Sequence, residues 1–208
     1  MTVANILSDK TIVVTGSTSG IGLAAATELA RRGAFVIGVG RHRSRCMQAE
    51  ETIKSACPEA RVVFCTADLS SIREVRRLAA EIRDKIAENG DSKLDVLINN
   101  AGTFSSWYVS TKEGFELQFA VNHLAPFLLT HELIDLLKAA PSGRVITTSS
   151  GSHYRTRINW SDIMLRRRYN CLMAYKQSKL ANVLFTRELN RRLGAGSPVR
   201  AYAVDPGL

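Results

Sequence analysis

Short apolar runs alternate with longer amphipathic segments along the whole chain. Thr11–Thr15 is a β-branched run, and Gly20–Arg32 then carries apolar residues at helical spacing. Near-continuous apolar strands that alternate with helices are typical of a parallel sheet covered on both faces, so we predict a doubly wound, three-layered α/β fold of six strands. The same pattern places the other strands at Ala34–Val39, Arg61–Thr66, Leu94–Ile98, Gly143–Thr148 and Val199–Val204, and the other helices at Ser44–Ala56, Ser71–Glu88, Lys112–Ala139 and Asn170–Leu193.

Length and composition limit the number of domains and the classes of protein to which the chain can belong. A chain of 208 residues that is 45% apolar suits one domain spanning residues 1–208. No leader-like segment opens the sequence, and no apolar run approaches the length of about 18 residues that a membrane helix needs. We therefore predict a cytoplasmic protein without an integral membrane segment. The cysteines, which lack the spacing of metal ligands and predict neither a metal site nor disulfides, are Cys46, Cys57, Cys65 and Cys171.

The formal charge of +9 suggests polyanions as possible partners. The basic residues of the chain are scattered, however, except at Arg41–Arg45 and Arg166–Arg168. Nucleic acid is therefore only a weak alternative, and we do not predict it as a partner.

A glycine-rich turn, TGSTSGIG, lies between the first strand and the first helix. Such a turn lets backbone N–H groups approach a pyrophosphate at the helix N-terminus. The spacing here is G-x-x-x-G-x-G, not the commoner G-x-G-x-x-G, and a purely structural turn is the alternative. The residues predicted to bind a dinucleotide there are Gly16, Ser17, Ser19, Gly20, Ile21 and Gly22.

The end of the second strand bears on the choice of dinucleotide. A carboxylate there suits the ribose 2′-hydroxyl of NAD, whereas arginine suits the 2′-phosphate of NADP. This chain has Arg41 and Arg43 and no acid until Glu50. The sequence therefore favours NADP(H) over NAD(H), although a solvated loop is the alternative.

Tyr175 and Lys179 are four residues apart in a predicted helix, so they share one face. A lysine ammonium stabilises a nearby phenolate and lowers the pKa of the phenol. The pair therefore suits proton transfer near neutral pH. The alternative is a surface lysine one turn from a half-buried tyrosine.

With the glycine motif, Asn99–Gly102 after the fourth strand and the Tyr175-x-x-x-Lys179 pair, the sequence resembles the short-chain dehydrogenase/reductase family over essentially its whole length. The resemblance implies a Rossmann-type fold. Three further segments look most like the retinol-dehydrogenase-like branch, namely Val121–Leu124, Phe127–Thr130 and Leu180–Leu193.

The resemblance implies hydride transfer between NADP(H) and a carbonyl or alcohol, with a lipophilic substrate as the expected class and Tyr175 as the acid/base. Ser150 fits the catalytic serine better than Ser149, because strand alternation cannot place both hydroxyls in one site. The implied catalytic residues are Asn122, Ser150, Tyr175 and Lys179. The cofactor residues that it adds are Asp68, Leu69, Asn99, Asn100, Ala101, Gly102, Tyr175, Lys179, Pro206 and Gly207.

Pro126 lies four residues after Asn122 and has no N–H for the Asn122 carbonyl. We expect that carbonyl to be free at a kink, where it can hold a water that contacts Lys179. A proline that only bends a buried helix is the alternative.

Other side chains give weaker signals. His123 is expected to be an ordinary packed or exposed imidazole and not a ligand or base. Three aromatic residues are equally compatible with a wall of the substrate site and with a place in the core, namely Trp107, Tyr108 and Tyr154.

Asp205–Leu208 matches the turn after the sixth strand of the family, where relatives usually continue with a lid and a seventh strand. We expect either a portion of a longer protein or a reduced form with impaired catalysis. The rival function is a non-catalytic regulator that binds NADP(H) on the same fold. The resemblance also implies a homodimer or homotetramer.

Overall fold

The computed structural model describes residues 6–207 and contains one six-stranded sheet. All of the strands are parallel, in the order β3-β2-β1-β4-β5-β6. This arrangement confirms the prediction of a doubly wound α/β fold. The strands are β1 (Thr11–Thr15), β2 (Phe35–Gly40), β3 (Val62–Thr66), β4 (Val96–Asn99), β5 (Arg144–Thr148) and β6 (Arg200–Val204).

The helices follow the sequence prediction closely, with one exception described below. No helix within residues 6–207 combines the length and the apolar character that a membrane span needs. The helices are α1 (Gly20–Arg31), α2 (Arg43–Ala56), α3 (Ile72–Glu88), α4 (Leu117–Phe119), α5 (Ala125–Ala139) and α6 (Cys171–Leu193), with a π-helical stretch at Ala120–Leu124 and a 3₁₀ turn at Gly151–His153.

The helix predicted to begin at Lys112 begins five residues later, at Leu117. Gly114 has a φ of +82° and closes a turn, because its N–H donates to the Thr111 carbonyl at 3.0 Å. Glu116 then caps the helix, since its carboxylate accepts from two backbone N–H groups of the first turn. A glycine in the left-handed region and a capping acid thus end the extended segment before the helix starts.

Alternating side chains of β1 contribute to two core layers. Val13 packs into the cluster beneath α3 and α5, whereas Ile12 and Val14 pack into the cluster beneath α1. Both β1 and β2 are buried along their whole length. Burial of one such aliphatic side chain contributes about 1.5–3 kcal/mol, so the two layers hold the strand ends in fixed positions.

A charged cluster lies at the amino-terminal ends of β1 and β4, opposite the strand ends that carry the glycine-rich loop. Asp95 is buried at 2% exposure and accepts a hydrogen bond from the Thr11 N–H at 3.1 Å. Its two oxygens also pair with Lys10 at 3.3 Å and Lys93 at 2.6 Å. The carboxylate therefore links β1 to the segment that enters β4.

Candidate active site

The glycine-rich loop after β1 is held close to the loop after β4. A β-carbon on Gly16 would lie 2.7 Å from the Ala101 Cα, and one on Gly22 would overlap the Gly16 carbonyl oxygen. The Asn100 amide donates to the carbonyl oxygens of Thr15 at 3.0 Å and Gly16 at 3.3 Å. The contacts explain why glycine is needed at these positions and why Asn100 follows β4.

The N-terminus of α1 is suited to an anion. Ser19, its N-cap, makes no capping side-chain bond, and the first turn carries no acidic residue. Gly20 has a φ of +54° and has open space where a side chain would be. Backbone N–H groups and the positive end of the helix dipole therefore face a space that fits a pyrophosphate.

Ser17 lies apart from this space. It is fully buried, and its Oγ accepts a hydrogen bond from the Val39 N–H at 3.0 Å. Its own N–H donates to the Val39 carbonyl at 3.2 Å. Ser17 was predicted to bind the cofactor, but its side chain instead joins the glycine-rich loop to β2.

A cleft of about 420 Å³ runs along the carboxyl ends of the strands, at the point where the strand order reverses between β1 and β4. Asp68 and Leu69 line it after β3. Most of the residues predicted to hold a dinucleotide also line it, namely Gly16, Ser19, Ile21, Gly22, Arg41, Asn100, Ala101 and Gly102. The lining residues that the sequence analysis missed include Thr18, His42, Arg45, Thr103, Leu117 and Val121.

Arg41 and Arg45 line the cleft, but Arg43 does not. The helix α2 begins at Arg43, and residues two positions apart on a helix point about 200° away from each other. Arg43 is exposed on the other side of the helix. The two arginines available to a 2′-phosphate are therefore Arg41 and Arg45, a correction that follows from the start of the helix.

The cleft lining lacks six more of the predicted cofactor residues, namely Gly20, Asn99, Tyr175, Lys179, Pro206 and Gly207. Asn99 is buried at 2% exposure, and its amide donates to the Thr130 Oγ1 at 3.1 Å. Pro206 and Gly207 are exposed beyond the end of β6. Asn99 therefore joins β4 to α5, whereas residues 206–207 are not among those that line the cleft.

Tyr175 and Lys179 lie on the same face of α6. The lysine Nζ is 5.5 Å from the centroid of the tyrosine ring and donates to the Thr148 carbonyl at 3.1 Å. Lys179 is only 3% exposed, and this burial lowers its pKa to about 8. A β-carbon on Gly102 would lie 3.6 Å from Nζ, so the dinucleotide cleft continues directly to the lysine.

The two serines after β5 point to different surroundings. Ser149 is buried and donates to the backbone carbonyl of Lys179 at 3.0 Å. Ser150 is half-buried and accepts from the Ser152 N–H at 3.2 Å, which leaves its own O–H without an acceptor in residues 6–207. Ser150 is therefore the serine whose hydroxyl is available to a substrate oxygen.

The side chain of Asn122 acts as a clamp on the loop after β4. It accepts from the Thr103 N–H at 2.7 Å and donates to the Thr103 carbonyl at 3.0 Å and the Ser178 Oγ at 3.1 Å. All of its side-chain bonds are therefore directed to protein groups, and it holds the cleft wall against α6.

The backbone carbonyl of Asn122 lies in the π-helical stretch, where the Ala125 N–H donates five residues back to Ala120. Pro126 leaves the Asn122 carbonyl without a helical donor, as expected. The expectation that it is free is wrong, because the Asn182 amide donates to it at 2.8 Å. That donor comes from another helix and has no signal in the local sequence.

Several aromatic side chains lie in the segments after β4 and β5, and one of them contacts Tyr175. Phe104, half exposed, stacks edge-on against Tyr175 with ring centroids 6.0 Å apart. Trp107 is 79% exposed and Tyr154 is 72% exposed. Tyr108 packs against Tyr169 with centroids 5.6 Å apart. The exposure of Trp107 and Tyr154 rules out the alternative that they belong to the core.

A family model described as short chain dehydrogenase matches residues 10–208. The chain belongs to the short-chain dehydrogenase family. Among its relatives, human retinol dehydrogenase 13 is 43% identical over 96% of this chain, and mouse retinol dehydrogenase 14 is 40% identical over 98%. The chain spans 59% and 62% of the length of those two proteins. The similarity confirms the predicted retinol-dehydrogenase-like resemblance.

Solved structures agree with this place in the short-chain dehydrogenase family. An uncharacterised protein of Mycobacterium paratuberculosis is 44% identical, with a TM-score of 0.81 over 95% of this chain and 68% of its own. A protein of Shigella flexneri, described as a short chain dehydrogenase and solved with NADP, is 27% identical. Its TM-score is 0.76 over 98% of this chain and 79% of its own.

Proposed function

We propose that this chain carries the cofactor-binding and catalytic groups of an NADP(H)-dependent oxidoreductase that interconverts a carbonyl and an alcohol. The observation that carries the proposal is the position of Lys179 at the end of the dinucleotide cleft. Its Nζ lies beside Tyr175 on one side and against Gly102 of the cleft lining on the other. A protein that only binds a nucleotide has no need of a buried lysine beside a tyrosine.

The preference for NADP(H) rests on charge. Arg41 and Arg45 line the adenosine end of the cleft, and a guanidinium matches a phosphate in both charge and shape. Asp68 is the acidic residue of that lining, and it follows β3, not β2. The NADP complex of the Shigella flexneri protein supports the same preference.

Ser150, after β5, together with Tyr175 and Lys179 on α6, suits proton transfer to a reacting oxygen. The bound nicotinamide supplies the hydride. Tyr175 donates a proton to the substrate oxygen, and the Ser150 hydroxyl donates a hydrogen bond to the charge that develops there. Lys179 holds its positive charge beside the phenol and stabilises the phenolate that remains. In the direction of alcohol oxidation, Tyr175 takes up the proton instead.

A lipophilic substrate fits the surface around the tyrosine. Phe104 is an exposed aromatic side chain in contact with Tyr175, and Tyr154 is exposed four residues after Ser150. The names of the similar retinol dehydrogenases support the same class of substrate, a lipophilic aldehyde, ketone or alcohol.

The test follows the absorbance of NADPH at 340 nm during incubation with medium-chain and retinoid-like aldehydes. We expect turnover with NADPH that exceeds turnover with NADH. Binding of NADPH without turnover of any aldehyde or ketone favours the regulatory alternative. The cytoplasmic location and the homodimer or homotetramer stay predictions, which fractionation and light scattering test.

A further inference from the structure

Asn182 is a buried amide three residues beyond Lys179 on α6. Its Nδ2 donates to two backbone carbonyls, those of Asn122 at 2.8 Å and Thr148 at 3.2 Å. The Thr148 carbonyl is also the acceptor of the Lys179 Nζ at 3.1 Å. One amide group therefore shares its acceptor with the catalytic lysine and ties that acceptor to the π-helical stretch.

The orientation of this amide is fixed by its partners. Both hydrogens of Nδ2 are used on carbonyl oxygens, which cannot donate, so the other end of the group must be the oxygen. That oxygen lies 3.1 Å from Nδ1 of His123. Nδ1 must therefore carry a proton and donate to Asn182.

His123 is itself held in one position. Burial lowers its pKa, and this favours the neutral ring with its single proton on Nδ1. The ring packs among three phenylalanines at centroid distances between 5.0 and 6.4 Å, namely Phe119, Phe127 and Phe185. The imidazole is thus a rigid donor at the outer end of the network.

We propose that Asn182, oriented by His123, is a positioning residue that holds Lys179 in place through the Thr148 carbonyl. The inference rests on the proposed oxidoreductase function, in which Lys179 acts on Tyr175. An ammonium that has lost its fixed acceptor samples other positions, and each departure weakens its action on the phenol. Asn182 touches neither substrate nor cofactor in this account and acts only through the lysine.

Few titratable groups lie near Lys179. Tyr175 is the titratable group beside it on α6, and His123 approaches from the π-helical stretch through Asn182. From the side of β5 and β6, the Asp205 carboxylate lies near Gly151. Within residues 6–207, no carboxylate forms an ion pair with Lys179. The acetylation of Lys179 therefore reports on the position and burial of the lysine and not on an ion pair.

Asn190 offers a matched control on the same helix. Its amide also bonds the backbone of another element, because it donates to the Ala201 carbonyl at 2.8 Å and accepts from the Ala201 N–H at 2.9 Å. It has no contact with Lys179. A purely structural role predicts that substitutions at positions 182 and 190 affect stability but leave the titration of the lysine unchanged.

The experiment measures the titration of Lys179 by its rate of acetylation as a function of pH, with mass spectrometry as the readout and without cofactor or substrate. We expect Asn182→Ala to raise the rate of Lys179 acetylation about threefold or more across the pH range, because a lysine whose acceptor is no longer fixed leaves its buried position more often. Asn190→Ala should keep the profile of the wild type. An unchanged profile in Asn182→Ala, or an equal change in both variants, overturns the proposal.

Activity gives a second readout of the same role. We expect Asn182→Ala to lower the kcat of NADPH-dependent reduction about tenfold, and His123→Phe, which keeps the aromatic packing, to lower it less. Asn190→Ala should keep the kcat of the wild type. Equal kcat values in all of these variants contradict the proposal. If the wild type turns over no carbonyl compound, the proposed function fails, whereas the acetylation profile still decides the role of Asn182.

Discussion

The exposed arginines that follow β2 should determine which dinucleotide binds. Arg41 and Arg45 line the cleft after β2, where the proposed function places the 2′-phosphate that distinguishes NADPH from NADH. Replacement of Arg41 by alanine removes a charged donor to that phosphate and takes nothing from the ribose hydroxyl of NADH. We therefore expect the affinity for NADPH to fall while the affinity for NADH stays the same.

The magnitude follows from the exposure of the site. A hydrogen bond between charged groups contributes about 1.5–3 kcal/mol when it is protected from water. Both arginines are exposed, so solvent and salt reduce this value, and we expect about 1.4 kcal/mol for each. This corresponds to a tenfold increase in the Kd for NADPH in Arg41→Ala and about a hundredfold increase in the double variant with Arg45→Ala.

The assay is a titration of each variant with NADPH and with NADH, followed by nicotinamide fluorescence. Arg43→Ala is the matched control, because Arg43 has the same charge and exposure but lies outside the cleft. It should change the Kd for NADPH less than twofold, because its side chain does not line the cleft and an exposed charge is screened by salt. Equal losses for Arg41→Ala and Arg43→Ala, or equal losses for NADPH and NADH, would refute the reasoning.

Three further predictions concern stability, measured by denaturant unfolding. Gly22→Ala should destabilise the fold far more than Gly20→Ala, because the new β-carbon at position 22 overlaps a backbone carbonyl. At position 20 the β-carbon meets open space, so the only cost is the strain of a φ of +54°, about 1–2 kcal/mol. Similar losses of stability in the two variants would contradict this prediction. Asp95→Ala should cost about 3 kcal/mol, because Asp95 is a buried partner of two lysines. Glu188→Ala, which removes only exposed ion pairs, should cost less than about 1 kcal/mol. Lys179→Met should stabilise the fold by up to about 3 kcal/mol below pH 8, because burial lowers the lysine pKa from its usual 10.5 to about 8. Below pH 8 the lysine is protonated in both states, so its full cost is present; that cost falls as pH rises from about 8 to 10.5, and a gain independent of pH would contradict the assignment.

The sheet and its helices follow from local sequence patterns. The burial of β1 and β2 is visible as uninterrupted apolar runs, and the spacing of apolar residues in α3 indicates its buried face. The Tyr175 and Lys179 pair could also be predicted, since residues four apart on a helix share a face. These features depend on neighbours in the chain, which a single sequence contains.

The remaining features depend on where elements begin or meet. The place of Arg45 in the cleft lining depends on the start of α2, and the delayed start of the helix at Leu117 depends on the turn at Gly114. The role of His123 depends on Asn182, which lies on another helix. No periodicity predicts such a contact, because it arises only when α6 packs against the π-helical stretch.

The most direct test of the account is the comparison of Tyr175→Phe with the wild type in both NADPH binding and NADPH oxidation. The substitution removes the phenolic oxygen and keeps the ring that packs against Phe104. We predict an unchanged Kd within about threefold and a fall in aldehyde reduction of about 10²–10⁴-fold, the usual contribution of a positioned proton donor. Turnover that survives in Tyr175→Phe at the rate of the wild type would contradict the account.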